Sequence, residues 1–279
     1  GYSFRAESYT RLKQYDKAID DIIKALDIDG DNKAFHLMQQ VADSAMVPLV
    51  AKLKVQSVKN PNNEYWLYCL GVVHEHTDAY KKAIEYYTSC YEKEASDVIS
   101  YRISQCYSNM GDFTSALKHI DNAIALDSTD YDYVMEKANL LYESGNAKDA
   151  IIELGKYISH QPDYFGGYYR RGWFKDNSED TDGAIEDYTM AIVLQPDYAY
   201  AYLGRGDMYA LKGNKKSSEA DYKKVVELDT IPNNSSCAQY AYWCLGQKEK
   251  AIEFMDKVIT NDPDNAGNYY DAACLHSRM

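Results

Sequence analysis

The chain has 279 residues, of which 46% are hydrophobic and 26% charged, a composition that supports a packed core and excludes a disordered chain. Its formal net charge of -13 disfavours nucleic acid and anionic membrane surfaces as partners, because phosphate binding depends on clustered lysine and arginine. No apolar stretch approaches the ~20 residues of a membrane helix, so we expect no membrane insertion.

A pattern of small and apolar residues repeats along the chain. Each copy has a small anchor residue, usually alanine, followed four and seven positions later by apolar or small residues. From Ala83 onward the anchors are 33 or 34 residues apart, a period that indicates a stack of repeated structural units. In chain order, the anchors are Ala18, Ala83, Ala116, Ala150, Ala184, Ser218 and Ala251.

Each copy predicts two helices joined by a tight turn. Six copies have a small residue twelve positions before the anchor, where the two helix backbones would cross closely. These residues are Ala6, Gly71, Ser104, Ala138, Gly172 and Gly206. Four copies have a turn glycine five positions before the anchor, namely Gly111, Gly145, Gly213 and Gly246.

This pattern of a small residue, glycine, alanine, tyrosine and proline resembles the tetratricopeptide repeat, and the resemblance covers essentially the whole chain. It implies an all-α fold, an α-α superhelix of about eight antiparallel helix pairs plus one terminal helix, in a single domain over residues 1–279. The predicted units cover about 1–32, 31–63, 64–96, 97–130, 131–164, 165–198, 199–231 and 232–265, with a lone helix at 266–279.

Two places depart from the regular pattern. In the second unit, Leu49 and Gln56 stand where the family has alanines, although 33–42 and 48–59 both have helical patterns. We therefore expect two helices there and a local irregularity in the stack. At the other end, 266–279 would form a first helix without its second, so we expect the chain to be a piece of a longer array.

The sequence lacks the usual marks of catalysis or cofactor binding. It contains no glycine-rich phosphate loop and no nucleophile elbow. His74 and His76 would point to nearly opposite sides of a helix, so they cannot share a metal ion. The six cysteines lack metal-finger spacing and are interpreted as buried free thiols, which favours a reducing, cytoplasmic compartment without fixing it. We expect no catalytic residue, no metal and no cofactor.

The resemblance also implies where a partner binds. In this family the first helix of each pair lines the concave surface, and its groove-facing positions lie 15, 11 and 8 residues before each anchor. Tyrosine and tryptophan, which dominate binding hot spots, are common at these positions, although any one ring can instead pack between repeats. The candidate partner-binding residues, with Arg170 beside this frame, are Tyr68, Tyr101, Asn139, Tyr142, Tyr169, Arg170, Trp173, Asp207, Tyr240, Trp243 and Tyr270.

These residues predict a non-catalytic scaffold that binds a protein or peptide segment in a concave aromatic groove. The densest candidate patch combines Tyr142 with Tyr169, Arg170 and Trp173. A clamp for a C-terminal carboxylate is not expected, because Met135 and Tyr169 stand where such family members have lysines. Two alternatives stay open: a targeting or regulatory arm of a larger enzyme, and a carbohydrate-binding groove.

Overall fold

The computed structural model describes residues 1–29, 32–230, 237–263, 265 and 267. Over these residues the regular elements are α-helices, so the expected all-α architecture of stacked helix pairs is confirmed. The helices described are α1 (Tyr2–Arg11), α2 (Tyr15–Asp29), α3 (Asn32–Lys59), α4 (Tyr65–His76), α5 (Tyr80–Tyr91), α6 (Asp97–Asn109), α7 (Phe113–Leu126), α8 (Asp132–Glu143), α9 (Ala147–His160), α10 (Phe165–Asp176), α11 (Thr181–Leu194), α12 (Ala199–Leu211), α13 (Lys215–Leu228), α14 (Ala238–Cys244) and α15 (Lys248–Asn261).

The chain divides into two compact units, Gly1–Ser144 and Gly145–Met279. In the first unit α1 packs on α2, α4 on α5 and α6 on α7, each pair being joined by a short turn. In the second unit α10 packs on α11, α12 on α13 and α14 on α15. Contacts between consecutive pairs, such as α5 with α6 and α11 with α12, stack the pairs within each unit. The single-domain description and the repeat boundaries stay predictions.

The small residue of the repeat lies where the two helices of a pair cross. A Cβ atom on Gly71 would lie 2.4 Å from Cε1 of Tyr87, and one on Gly206 would lie 2.9 Å from Cε1 of Tyr222. Tyr87 is fully buried, so its ring cannot move aside into solvent. A side chain larger than glycine would therefore collide with a ring of the partner helix at these positions.

The tight turns share a left-handed residue five positions before the anchor. In the four turns where glycine was predicted, this residue has a φ of 71° to 86°. Lys13, Asp78 and Glu179 take the same position in three other turns, with φ values of 56° to 65°. The left-handed conformation is sterically unfavourable for a residue with a Cβ atom. These three turns are therefore less stable locally than the glycine turns.

The substitution Glu179→Gly is therefore expected to raise the free energy of unfolding by about 0.5 to 1 kcal/mol. The left-handed conformation costs a residue with a Cβ atom about 1–2 kcal/mol, and the greater freedom of glycine in the unfolded chain cancels part of the gain. Urea denaturation of both proteins measures the difference. Glu179→Ala is the matched control, because it removes the same carboxylate and keeps the Cβ atom. Equal stabilisation by both changes would assign the effect to the side chain instead of the backbone.

The degenerate second unit is one helical run with a break in it. Helix α3 has non-helical angles at Ala45, where φ is -146° and ψ is 45°. Pro48 follows three residues later, so its missing N–H falls in the first turn after the break. The expected irregularity is present, but a single non-helical residue joins the two expected helices where a turn would stand in a regular pair.

An ion pair with a buried aspartate recurs in three helix pairs, a feature that the sequence analysis missed. The arginine lies on the first helix, thirteen positions before the anchor. It donates two hydrogen bonds to an aspartate on the second helix, three positions after the anchor. The pairs are Arg5 with Asp21, Arg171 with Asp187 and Arg205 with Asp221, at nitrogen–oxygen distances of 2.5 to 2.9 Å. The aspartates are only 3 to 5% exposed. Because each pair joins two fixed side chains, it sets how the second helix lies on the first.

Candidate functional site

Two groove tyrosines of the first unit pack against other rings. Tyr68 on α4 is half-buried, with its ring centroid 6.1 Å from that of Phe35 and 5.8 Å from that of Tyr87. Tyr101 on α6 is also half-buried, and its ring centroid lies 5.3 Å from that of Tyr133. The position fifteen residues before the anchor therefore contributes to packing within the stack, and only part of each ring faces solvent.

A cavity of about 470 Å³ opens beside Tyr101 in the first unit, and Arg102, Met135 and Asn139 also line it. The Asn139 amide nitrogen donates to Oε2 of Glu136 at 3.3 Å. The Asn139 amide oxygen is buried and, among the described residues, has no hydrogen-bond partner.

The aromatic patch of the second unit contains one packed ring and one exposed ring. Tyr169 is half-buried between Tyr188 and Tyr198, at centroid distances of 5.9 and 5.0 Å, and burial raises the pKa of its phenol. Trp173, one turn further along α10, is 37% exposed. The guanidinium carbon of Arg170 lies 5.9 Å from the Trp173 ring centroid. Arg170 and Trp173 thus present a cation and an aromatic face together.

A larger cavity, of about 730 Å³, lies among α10, α12, α13 and α14 in the second unit. Three of the predicted residues line it, Asp207 from α12 and Tyr240 and Trp243 from α14. Asp176 joins them from the end of α10, eight positions before its own anchor. Three successive first helices therefore contribute groove positions to the lining of this cavity.

The second helix α13 completes the cavity with residues that the sequence analysis did not assign to the site. Lys215 and Glu219 stand at its edge, and Tyr222 lies deeper, 5% exposed. The Tyr222 hydroxyl donates to Oδ1 of Asp207 at 2.7 Å. The signal for Tyr222 was present in the sequence, because tyrosine recurs four positions after the anchor in three copies.

Burial makes both carboxylates in this cavity harder to ionise. Removal from water raises the pKa of Asp207 to about 6, a shift that the Tyr222 hydrogen bond partly opposes and the nearby charge of Asp176 reinforces. Burial also raises the pKa of Asp176, a shift that the nearby Tyr188 hydroxyl partly opposes. Asp207 is mostly ionised near neutral pH, and both carboxylates are less stable as anions than exposed aspartates.

Some predicted site residues are not brought together. Tyr142 belongs to the first compact unit and Tyr169, Arg170 and Trp173 to the second, so their common patch stays a prediction. Tyr270 lies outside the described residues.

The described residues show few features of a metal site, a membrane-spanning helix or a reactive cysteine. No cluster of three histidine, cysteine, aspartate or glutamate side chains in the described ranges is arranged to hold a metal ion. Within the same ranges, no helix combines the length and apolar character needed to cross a membrane. Four of the five described cysteines are buried, and the described cysteines form no disulfide. Burial raises the pKa of the Cys106 thiol to about 12, so this cysteine is a poor nucleophile at neutral pH.

Models of known protein families match more than half of the chain. Two family models match, and both are described as the tetratricopeptide repeat, one over residues 102–162 and 169–234 and the other over residues 1–32 and 240–265. The chain is 28% identical over 148 residues to the human DnaJ homolog subfamily C member 3. That match covers 47% of this chain and 29% of the human protein, so the chain spans less than a third of this relative.

Solved structures share the fold. The C-terminal part of a TPR repeat-containing protein from Cytophaga hutchinsonii matches 86% of this chain and 98% of its own, with a TM-score of 0.60 at 16% identity. YrrB, described as a TPR protein with an unusual peptide-binding site, matches 71% of this chain and 97% of its own, with a TM-score of 0.53 at 14% identity. At such identities the likeness concerns the arrangement of helices alone.

Proposed function

Because the chain belongs to the tetratricopeptide repeat family, we propose that it is a non-catalytic scaffold that binds a segment of a partner protein along the first helices of its pairs. The fold supports a protein-interaction role in general terms. The finer proposal rests above all on the cavity of about 730 Å³ in the second unit, where three successive first helices contribute Asp207, Tyr240, Trp243 and Asp176.

The chemistry of the groove residues supports a peptide partner. Tyrosine and tryptophan provide large contact areas and have few rotatable bonds to immobilise, so they are effective in protein recognition. A cavity of this size is wide enough for several side chains of an extended or helical segment. In the first unit, Asn139 supports the same role, because it lines the cavity of about 470 Å³ together with Tyr101.

Selection from a library of displayed peptides tests this proposal. The chain is expected to retain specific peptides, and Trp173→Ala and Tyr240→Ala are each expected to weaken a selected peptide about tenfold or more, because each truncation removes an aromatic contact surface. The melting temperature should change by less than about 4 °C. Affinity is measured by isothermal titration calorimetry and the melting temperature by circular dichroism.

Tyr164→Ala is the control, since this tyrosine is 46% exposed and lies outside the groove frame. It should leave the affinity unchanged. Failure to retain any peptide contradicts the proposed function. If Trp173→Ala or Tyr240→Ala instead unfolds the protein, that ring belongs to the core of the stack.

A second candidate is that this scaffold forms the targeting or regulatory arm of a larger enzyme. It is supported by a match to an enzyme, the UDP-N-acetylglucosamine--peptide N-acetylglucosaminyltransferase of Giardia intestinalis, which is 28% identical over 106 residues that make up 7% of that protein. The sequence of the complete gene discriminates the two candidates. A catalytic domain in the same reading frame would support the arm, and a complete gene without one would remove it.

A further inference from the structure

Four aspartates of the second unit differ in the partners that surround them. Asp187 and Asp221 are buried, and each is neutralised by an arginine through two hydrogen bonds of 2.7 to 2.9 Å. Asp207 is half-buried in the cavity and accepts a hydrogen bond from the Tyr222 hydroxyl instead. Asp176, also half-buried in the cavity, has the Tyr188 hydroxyl near it. In the part of the chain that the structure describes, neither cavity aspartate has a cationic partner.

The other charges of the cavity do not compensate these two carboxylates. Lys215 lies at the edge with its side chain 87% exposed, and its ammonium group is 3.7 Å from Glu219 Oε1. These two opposite charges cancel, so the cavity keeps the two negative charges of Asp176 and Asp207. Because burying a carboxylate without a cation is costly, a cationic group entering the cavity would gain more here than at an exposed aspartate.

The aromatic wall of the cavity favours the same kind of occupant. Tyr240 and Trp243 line it, and the faces of such rings attract cations. The Trp243 ring already has one cation near it, since the Lys248 ammonium lies 4.7 Å from its centroid. A guanidinium group can bind a carboxylate through two hydrogen bonds and lie flat on a ring at the same time.

We infer that the cavity lined by Asp176, Asp207, Tyr240 and Trp243 binds a basic side chain, arginine above all, of the partner segment. This inference rests on the proposed function and specifies the chemistry of the partner. The carboxylates hold the cationic group, and the rings contact the flat face of the guanidinium and the methylene groups beside it. The net charge of -13 adds a general attraction for a basic segment.

The peptide selection described above provides the test. Selected peptides are expected to share an arginine or lysine at one position. A consensus peptide resynthesised with citrulline, which is neutral and nearly isosteric with arginine, should lose about thirtyfold or more in affinity. Asp207→Asn should cause a similar loss with the arginine peptide and none with the citrulline peptide. The affinity for the arginine peptide should also decrease as sodium chloride is raised.

Asp256→Asn is the matched control, because it removes the same charge from an exposed position on α15 outside the cavity. It should leave the binding of the arginine peptide within about twofold. Selected peptides without a common basic residue would overturn the inference and leave the proposed function standing. A basic consensus whose binding is unaffected by both Asp176→Asn and Asp207→Asn would also overturn it. Failure to select any peptide would contradict the proposed function itself.

Discussion

Replacing Asp187 with alanine is expected to lower the free energy of unfolding by about 3 to 5 kcal/mol, the usual cost of breaking a buried ion pair from one side. The Asp187 side chain is 4% exposed, and those of its partners Arg171 and Lys175 are 22% and 16% exposed. The alanine variant would leave both cations partly buried without their anion, and neither reaches bulk water freely. Urea denaturation followed by circular dichroism measures the loss.

The exposed pair of Glu253 with Lys257 on α15 provides the comparison. Its side chains are 66% and 58% exposed, and the two charged groups are 2.7 Å apart. Glu253→Ala should therefore change the free energy of unfolding by less than about 1 kcal/mol. A similarly small effect of Asp187→Ala would mean that water reaches Arg171 and Lys175 in the variant and that the recurring pair is not important for stability.

Asp207→Asn is expected to change binding and stability in opposite directions. The affinity for an arginine-containing peptide should fall by about 2 kcal/mol or more, because the bound guanidinium would lose its anion in a partly buried site. The free protein should become more stable by about 1 kcal/mol at pH 7.5. Each pKa unit corresponds to about 1.4 kcal/mol, and partial exposure of the carboxylate reduces the penalty that its raised pKa implies. The asparagine oxygen can still accept the Tyr222 hydrogen bond.

The pH dependence provides an independent measurement of the same group. The folded-state pKa of Asp207 is about 6, above its unfolded value of about 3.9, so the folded protein binds this proton more tightly. Its contribution to stability is present at low pH and is lost as the pH rises through about 6. The extra stability of Asp207→Asn should therefore grow between about pH 4 and 7 and then level off. Peptide affinity should fall as the pH drops below about 6. A stability difference independent of pH would show that Asp207 does not titrate in this way.

Much of the fold could be predicted because the determining contacts are local. Gly71 and Gly206 are small because a ring from the partner helix occupies the space of a side chain. That constraint repeats at a fixed spacing and is visible in the sequence. The recurring arginine–aspartate pairs follow the same period and could have been found by scanning charged residues alongside apolar ones. The break in α3 was expected between residues 42 and 48, but its location at Ala45 was not, because alanine is an ordinary helix residue and the angle depends on packing around α3.

The candidate site was predictable only in part. The repeat frame identified the positions that line the cavity, but it did not separate rings available to a partner from rings used in packing. Tyr169 lies between two tyrosines, one of which, Tyr198, precedes the next helix pair, and Trp173 on the same helix is more exposed. The raised pKa of Asp207 depends on how deeply α13 and α14 enclose it, which is a three-dimensional property that spacing does not encode.

The recurring ion pair has a consequence for how such a chain can change length. Arg171 and Asp187 belong to the two helices of one pair, as do Arg205 and Asp221, so these buried aspartates take their arginine from their own pair. Duplication or loss of such a helix pair leaves each of these aspartates with its own arginine. Gene duplication can therefore add or remove a pair of this type without leaving its buried aspartate unpaired.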